Sequence, residues 1–376
     1  MKLKTKTHNI DPVWQSYNDN DIEKFRQLIK NGVDINKSGE GGRSLIEHIL
    51  LDYTQIDKNI KFFDELINDN INFKSIIDQK FLLSMAVCNS HDKAVHFIKK
   101  LLKFNVGINS FGVGTFRDMV IDRNFIGEKI YSPPIFQSVL MFSICDKFYL
   151  YDLLLKKNPD LECCNEFGET ILNYLINSHN YNIIENCNFY NLISKMIKQG
   201  ANPTQKNLEG CNSLHALCKA TKISSDYNKL FNLFLKQGCD INLFDSSGIT
   251  PLIYSIIFKN PQAIEILLKN GADIDKHGKY NMPAIFWAGY KGYYDLFCIL
   301  YNNNASLTHI MYSGDSILHV MLNNKSYKKS FYTKILDKNP ELLSVKNNDG
   351  ETPIDIARKI KNKKIKSSLI SLMEKY

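Results

Sequence analysis

The sequence contains no run approaching about 18 uncharged apolar residues, so no membrane-spanning helix is expected. Met1 to Ile10 carry three lysines but lead into Asp11, Pro12 and Trp14 rather than into an apolar stretch, which argues against a secretory signal. Both absences predict an intracellular, cytoplasmic protein, with the nucleus as a second location. Cysteine pairing is also missing. Cys88, Cys145, Cys163, Cys164, Cys187, Cys211, Cys218, Cys239 and Cys298 are odd in number and show no C-x-x-C spacing, so they read as small core side chains. Arginine is scarce, and no Walker loop, Gly-x-Ser-x-Gly or His-Glu-x-x-His occurs, which removes the usual signs of nucleotide, acyl-hydrolase and zinc-protease chemistry. What is present suits a folded protein: 376 residues, of which 44% are hydrophobic, 23% charged and 11% aromatic. The net charge of +8 is spread along the chain except for one C-terminal cluster. Heavy use of Lys, Asn and Ile hints at an AT-rich genome.

Aligned against itself, the chain shows a recurring unit. Its clearest copies are Leu267-Leu268-Lys269-Asn270-Gly271-Ala272-Asp273-Ile274-Asp275 and Leu28-Ile29-Lys30-Asn31-Gly32-Val33-Asp34-Ile35-Asn36, with weaker copies around Gly200, Gly238, Asn105 and Asn158. A second anchor follows, seen as Thr250-Pro251-Leu252, Thr352-Pro353-Ile354, Ser316-Ile317-Leu318-His319 and Asn212-Ser213-Leu214-His215. Its first position recurs at Asp11, Ser44, Phe81, Pro133, Thr170, Asn212, Thr250, Pro283, Ser316 and Thr352, with spacings from 33 to 52 residues.

A hydroxyl residue before proline is an N-cap followed by a first-turn proline, so Thr250-Pro251 and Thr352-Pro353 should open helices. Gly32, Gly200, Gly238 and Gly271 should close a second helix in the left-handed conformation. Between them, apolar residues such as Ala263, Ile264, Leu267 and Leu268 recur at helical spacing. The unit therefore reads as helix, turn, helix and a hairpin-like loop, with Gly42, Gly168, Gly210, Gly248, Gly314 and Gly350 near the tips. Two short helices cannot bury their apolar faces alone, so units must stack.

A period near 33 with Thr-Pro-Leu-His and Leu-Leu-x-x-Gly-Ala-Asp resembles the ankyrin repeat. The resemblance covers nearly the whole chain, is specific in the second half and is looser before Thr170. It implies an all-α ankyrin-repeat solenoid of about ten helix pairs, a single solenoid over residues 11–376 after a tail at 1–10, with its first and last units acting as caps. The family's alanine six positions into the unit is kept as Ala86, Ala288 and Ala357 and replaced by small serine at Ser16, Ser138 and Ser255. Four copies depart, with Ile49, Leu175, Leu217 and Met321. Irregular repeat lengths and the AT-rich composition are most similar to ankyrin proteins of large DNA viruses, of mimivirus or poxvirus type, or of intracellular bacteria that export effectors.

Two stretches exceed the period: a long insertion at about 110–130, with Gly112, Gly114 and Gly127, and a second loop at about 177–188. Both are expected to be surface loops, with a binding loop as the alternative. The insertion also holds Arg117, Asp118, Asp122 and Arg123, but no nucleophile–base pair.

No catalytic, cofactor or metal site is expected. Cys211, His215 and Cys218 have metal-ligand spacing on one helix, yet His215, like His319, occupies the histidine of Thr-Pro-Leu-His, which in the family hydrogen-bonds neighbouring loop backbone. Cys163 and Cys164 should fill a hairpin. Function is therefore expected at the surface. The resemblance implies a concave face, built from first helices and hairpin tips, that binds protein. Its fifth positions read Gln15, His48, Met85, Gln137, Tyr174, Ala216, Tyr254, Trp287, Val320 and Ile356. The eighth position adds Tyr290, and the tips add Phe167, Leu208, Phe244, Tyr280 and Tyr312. Tyr and Trp anchor interfaces because they bury large rigid areas. Phe167, Tyr174, Phe244, Tyr254, Tyr280, Trp287, Tyr290 and Tyr312 are accordingly the candidate partner-binding residues of a monomeric, non-enzymatic interaction module. Lys359, Lys361, Lys363, Lys364 and Lys366 form the dense basic cluster; a solubilising terminal face is favoured there, and nucleic-acid binding ranks behind. A substrate adaptor for a ubiquitin ligase is a further alternative from the poxviral likeness. The last anchor lies about 25 residues from the end, which leaves room for its own two helices.

Overall fold

The computed structural model describes residues 11–37, 39, 43–67, 82–83, 85–86, 89, 92–104, 112–115, 129–132, 148–165, 167–179, 188–220, 226–278, 281–323 and 328–376. The chain packs as two compact bodies, residues 1–166 with 198–200, and 167–197 with 201–376.

The N-terminal body begins with two helix pairs, α1 (Pro12–Asn18) with α2 (Ile22–Lys30) and α3 (Leu45–Leu51) with α4 (Ile56–Leu66). Second helices follow as α5 (Val95–Leu101) and α6 (Phe148–Leu155). Asp11 caps α1 through the Val13 N–H and Pro12 sits in its first turn, while Ser44 and Glu47 form a capping box on α3. Phe25, Phe62, Phe63 and Phe97 are buried and meet edge to face, Phe25 with Phe62 and Phe63 with Phe97, which joins consecutive second helices. Trp14 is covered by the following loop: its Nε1 donates to the Lys37 carbonyl at 3.2 Å, and a Cβ on Gly39 would stand 2.3 Å from the ring.

The expected insertion contains a short antiparallel pair, β1 (Gly112–Thr115) with β2 (Lys129–Ser132), in the register Val113 opposite Tyr131. β-Branched and aromatic residues at Val113, Thr115, Ile130 and Tyr131 favour that extended backbone. A surface loop is therefore not the whole description of 110–130. Arg117, Asp118, Asp122 and Arg123 lie outside the described residues, as do Phe81, Pro133, Gln137, Ser138 and residues 180–187.

The C-terminal body consists of six helix pairs: α7 (Ile171–His179) and α8 (Asn188–Lys198); α9 (Ser213–Cys218) and α10 (Tyr227–Lys236); α11 (Pro251–Ile257) and α12 (Pro261–Lys269); α13 (Ala284–Lys291) and α14 (Tyr294–Asn302); α15 (Ile317–Leu322) and α16 (Lys329–Lys338); α17 (Pro353–Lys359) and α18 (Lys363–Met373). Each first helix packs on the next in the order α7, α9, α11, α13, α15, α17. Eight of the ten anchor positions immediately precede a described first helix, as the cap argument requires. Thr250 and Thr352 accept from the N–H groups of Ile253 and Asp355, with proline next in each case.

The first helices α9 and α15 are covered all round, which is why their sequences are almost wholly apolar. Every residue of α9 and of α15 is buried. The positions that depart from alanine pack without exposure: Ile49, Leu175 and Leu217 are fully covered and Met321 nearly so. Met321 fits because Gly289, on the preceding first helix, has no side chain; a Cβ there would lie 3.0 Å from the Met321 Cγ. The serine replacements are satisfied locally, with Ser16 and Ser255 donating to the carbonyls of Val13 and Leu252.

Second helices end as expected, with Gly271 at φ +84; in the next unit Asn304 takes the same left-handed conformation at φ +64. Hairpins share one design. An N–H to C=O bond closes Asn207 to Cys211, Asp245 to Ile249, Met311 to Asp315 and Asn347 to Glu351. Side-chain oxygens of Asn207, Asp245 and Asn347 accept two more backbone N–H groups each. Tips also bond to one another, Leu208 N–H to Phe167 O, Ser246 to Glu209 and Asn348 to Ser313.

Candidate functional site

The histidines of the repeated motif are structural. His215 is buried; its Nδ1 lies 2.9 Å from Asn212 Oδ1 and its Nε2 3.3 Å from the Ile249 carbonyl of the next hairpin. His319 repeats this with Ser316 and the Glu351 carbonyl at 3.0 Å. Burial pushes the His215 pKa down to about 4, so the ring is neutral: Nε2–H donates to the Ile249 carbonyl and Nδ1 accepts from the Asn212 N–H at 3.3 Å. Cys211 and Cys218 flank it, but both ring nitrogens are committed. Among the described residues no group of three His, Cys, Asp or Glu side chains is arranged to hold a metal ion. Cys211, Cys218 and Cys239 are buried, whereas Cys163, Cys164 and Cys298 are half-buried. The Cys163 thiol donates to Asp160 at 3.1 Å, and burial with that carboxylate raises its pKa to about 12, which suits a filled hairpin and no reactive thiol.

The C-terminal body gathers most of the expected surface residues. At the tips, Tyr312 is 71% exposed, Phe167 59% and the neighbouring Leu208 75%. Phe244 is half-buried beneath Lys276, whose Nζ is 5.1 Å from the ring centre. Tyr280 lies outside the described residues. Along the first helices, Tyr174, Tyr254 and Trp287 are half-buried and Tyr290 is 42% exposed. Trp287 and Tyr290 sit three residues apart on α13 and meet edge to face at 6.4 Å. Ala216, Val320 and Ile356, at the same fifth position in other units, are buried.

Tyr254 is held in place. Its hydroxyl donates to Asp245 Oδ2 at 2.9 Å, and the Cys211 Sγ lies 3.2 Å from the same oxygen. Its ring stands edge-on to His215 and is stacked on Phe258, the residue that caps the C-terminal end of the same helix. Burial, then Cys211 and Asp245, push its pKa strongly up, so it stays a neutral donor. Burial likewise raises Tyr174 to about 12. Trp287 differs: its Nε1–H is buried and meets no acceptor among the described residues.

Sequence reasoning missed the lysines. Lys219 stands 5.2 Å over Tyr254, Lys259 4.5 Å over Tyr293 and Lys291 5.6 Å over Tyr290. It also missed that the N-terminal body has an aromatic cluster beside its fifth position, Trp14 and Tyr17 around His48 with Lys58 4.0 Å over Tyr17. In the C-terminal lysine cluster, Lys359 pairs with Glu351, Lys361, Lys363 and Lys364 are exposed, and Lys366 is half-buried. No described helix is long and apolar enough to cross a membrane.

Comparison with known proteins places this geometry. Residues 181–278 and 217–311 match the family model for ankyrin repeats, in three copies. A fowlpox virus (strain NVSL) protein named as an ankyrin repeat protein is 26% identical over 133 residues, 35% of this chain and 28% of the relative. The chain thus spans under a third of that relative's length. A solved structure of the ankyrin repeat domain of Bcl-3, of the IkappaB family, is 18% identical and covers 63% of this chain and 98% of that one, with a TM-score of 0.46. Residues 181–311 thus match ankyrin repeats, and the helix pairs there are joined by the His215–Ile249 bond between units that His319 and Glu351 repeat further along the chain.

Proposed function

We propose that this chain is a non-enzymatic scaffold that holds a partner protein on the face formed by the first helices and hairpin tips of its C-terminal body. Ankyrin repeats are protein–protein interaction modules, and the observation carrying the finer reading is the row of rings on that face. Trp287 and Tyr290 project from α13, Tyr254 from α11, and Phe167 and Tyr312 from the tips, all half-buried or exposed, while most other residues of the two helices are covered. Large rings fixed by packing lose little entropy when a partner covers them, so a few of them can dominate affinity. The fowlpox likeness supports a virus-type protein that meets a host protein in the cytoplasm.

The test is affinity capture from nuclease-treated lysate, with the native chain compared against a Tyr254→Ala, Trp287→Ala, Tyr290→Ala variant whose helicity is confirmed by circular dichroism. A protein retained by the native chain and lost by the variant is the expected result. Equal recovery by both would remove this face as the binding surface. Binding through the C-terminal lysines to nucleic acid would instead weaken steeply with salt and vanish on nuclease treatment.

A further inference from the structure

We propose that the face formed by α9, α11 and α13 takes an acidic peptide segment of its partner, one carrying carboxylates beside an aromatic or aliphatic side chain. This rests on the reading of that face as the partner-binding surface. Charge on the C-terminal body is segregated along the repeat. The first helices α7, α9, α11, α13 and α15 contain no Asp or Glu. Lysines stand at the far ends of three of them, where the chain turns into the second helix: Lys219 caps α9, Lys259 follows α11 and Lys291 ends α13.

These three cations are not neutralised within the described residues. Lys93, Lys100, Lys229 and Lys359 each reach a carboxylate, whereas Lys219, Lys259 and Lys291 form no ion pair there and stand over tyrosine rings instead. Asp245, the carboxylate that touches Tyr254, already accepts from Tyr254, Ser247 and Ile249. Three uncompensated positive charges on adjacent repeats beside the Trp287–Tyr290 pair complement a negative segment with an apolar anchor.

The same contacts disfavour a nucleic acid. Recognition of single strands stacks bases on open ring faces. Here Lys219 lies over Tyr254, Phe258 is stacked on that ring, and Lys291 lies over Tyr290. Carboxylates approaching the ammonium groups need no free face.

The experiment screens a bead-displayed library of short random peptides against the full native chain and against Lys219→Gln, Lys259→Gln, Lys291→Gln. Glutamine keeps a long side chain and removes the charge. The native chain should enrich sequences of net negative charge with an aromatic or aliphatic residue. An enriched peptide, resynthesised, should bind the triple variant about tenfold or more weakly, and its Gln/Asn counterpart should bind the native chain weakly as well. Enrichment of neutral or basic sequences, no enrichment, equal binding to the variant, or tighter binding of a homopolymeric oligonucleotide than of the peptide would each overturn the proposal. The lysate capture separates the two ideas. A partner lost by the aromatic triple variant but kept by the lysine triple variant leaves the face in place and removes its acidic specificity; one kept by both removes the face itself.

Discussion

At the scale of single residues, the repeat is held by a few buried polar groups with fixed partners. His215 is the clearest. Its folded pKa of about 4 lies below the unfolded value of about 6.5, so its neutral form contributes stability above pH 6.5. As pH falls from 6.5 towards 4, the unfolded chain takes up a proton that the folded chain refuses, and stability falls by about 3 kcal/mol before levelling off. Burial lowers His48 and His309 as well, so they act in the same direction. Urea titrations between pH 7 and pH 4 should show this slope, reduced in a His215→Gln variant; an unchanged slope would remove His215 as its source. Gly289 and Met321 provide a second residue-scale prediction. Alanine is worth about 1 kcal/mol over glycine inside a helix, but at 289 its Cβ would crowd Met321. Gly289→Ala should therefore stabilise the native chain little and a Met321→Ala chain by the full amount. Equal effects in both backgrounds would show that the two positions do not couple.

At the scale of helices and hairpins, stability rests on caps and tips. Thr250→Ala removes the oxygen that accepts the Ile253 N–H and should cost about 1 kcal/mol in urea unfolding. Gly314→Ala should cost more, because φ is +77 and a Cβ would stand 2.7 Å from the Asn348 nitrogen that bonds the neighbouring tip. These elements were legible in the sequence since their signals are local: hydroxyl before proline, glycine after the second helix, glycine near a hairpin tip. Other features were not legible because they join residues a full repeat apart. Nothing in the spacing couples Met321 to a glycine 32 positions earlier or sets Lys219 over Tyr254. The alternating β1 and β2 segments were hidden by the glycines between and within them, which read as loop. Among the candidate residues, type and rough position could be read, but the depth of burial could not. Tyr254 and Trp287 share the fifth position with Ala216 and Val320, and only packing separates half-buried rings from covered aliphatics.

At the scale of the whole molecule, function follows from repetition. Within the C-terminal body each unit adds one first helix and one hairpin tip to a common face; α9, α11 and α13 bring rings and lysines without an ion pair among the described residues, whereas the described ion pairs lie at α10 and α17. Partner binding should therefore tolerate substitutions on α10, α12 and α14 and respond to those on α11 and α13. Hydrogen–deuterium exchange of the full chain with and without its captured partner tests this most directly. The account predicts new protection at the ends of α11 and α13 and at the hairpin tips around Phe167, Leu208, Phe244 and Tyr312. Protection confined to the second helices or to the N-terminal body would contradict it.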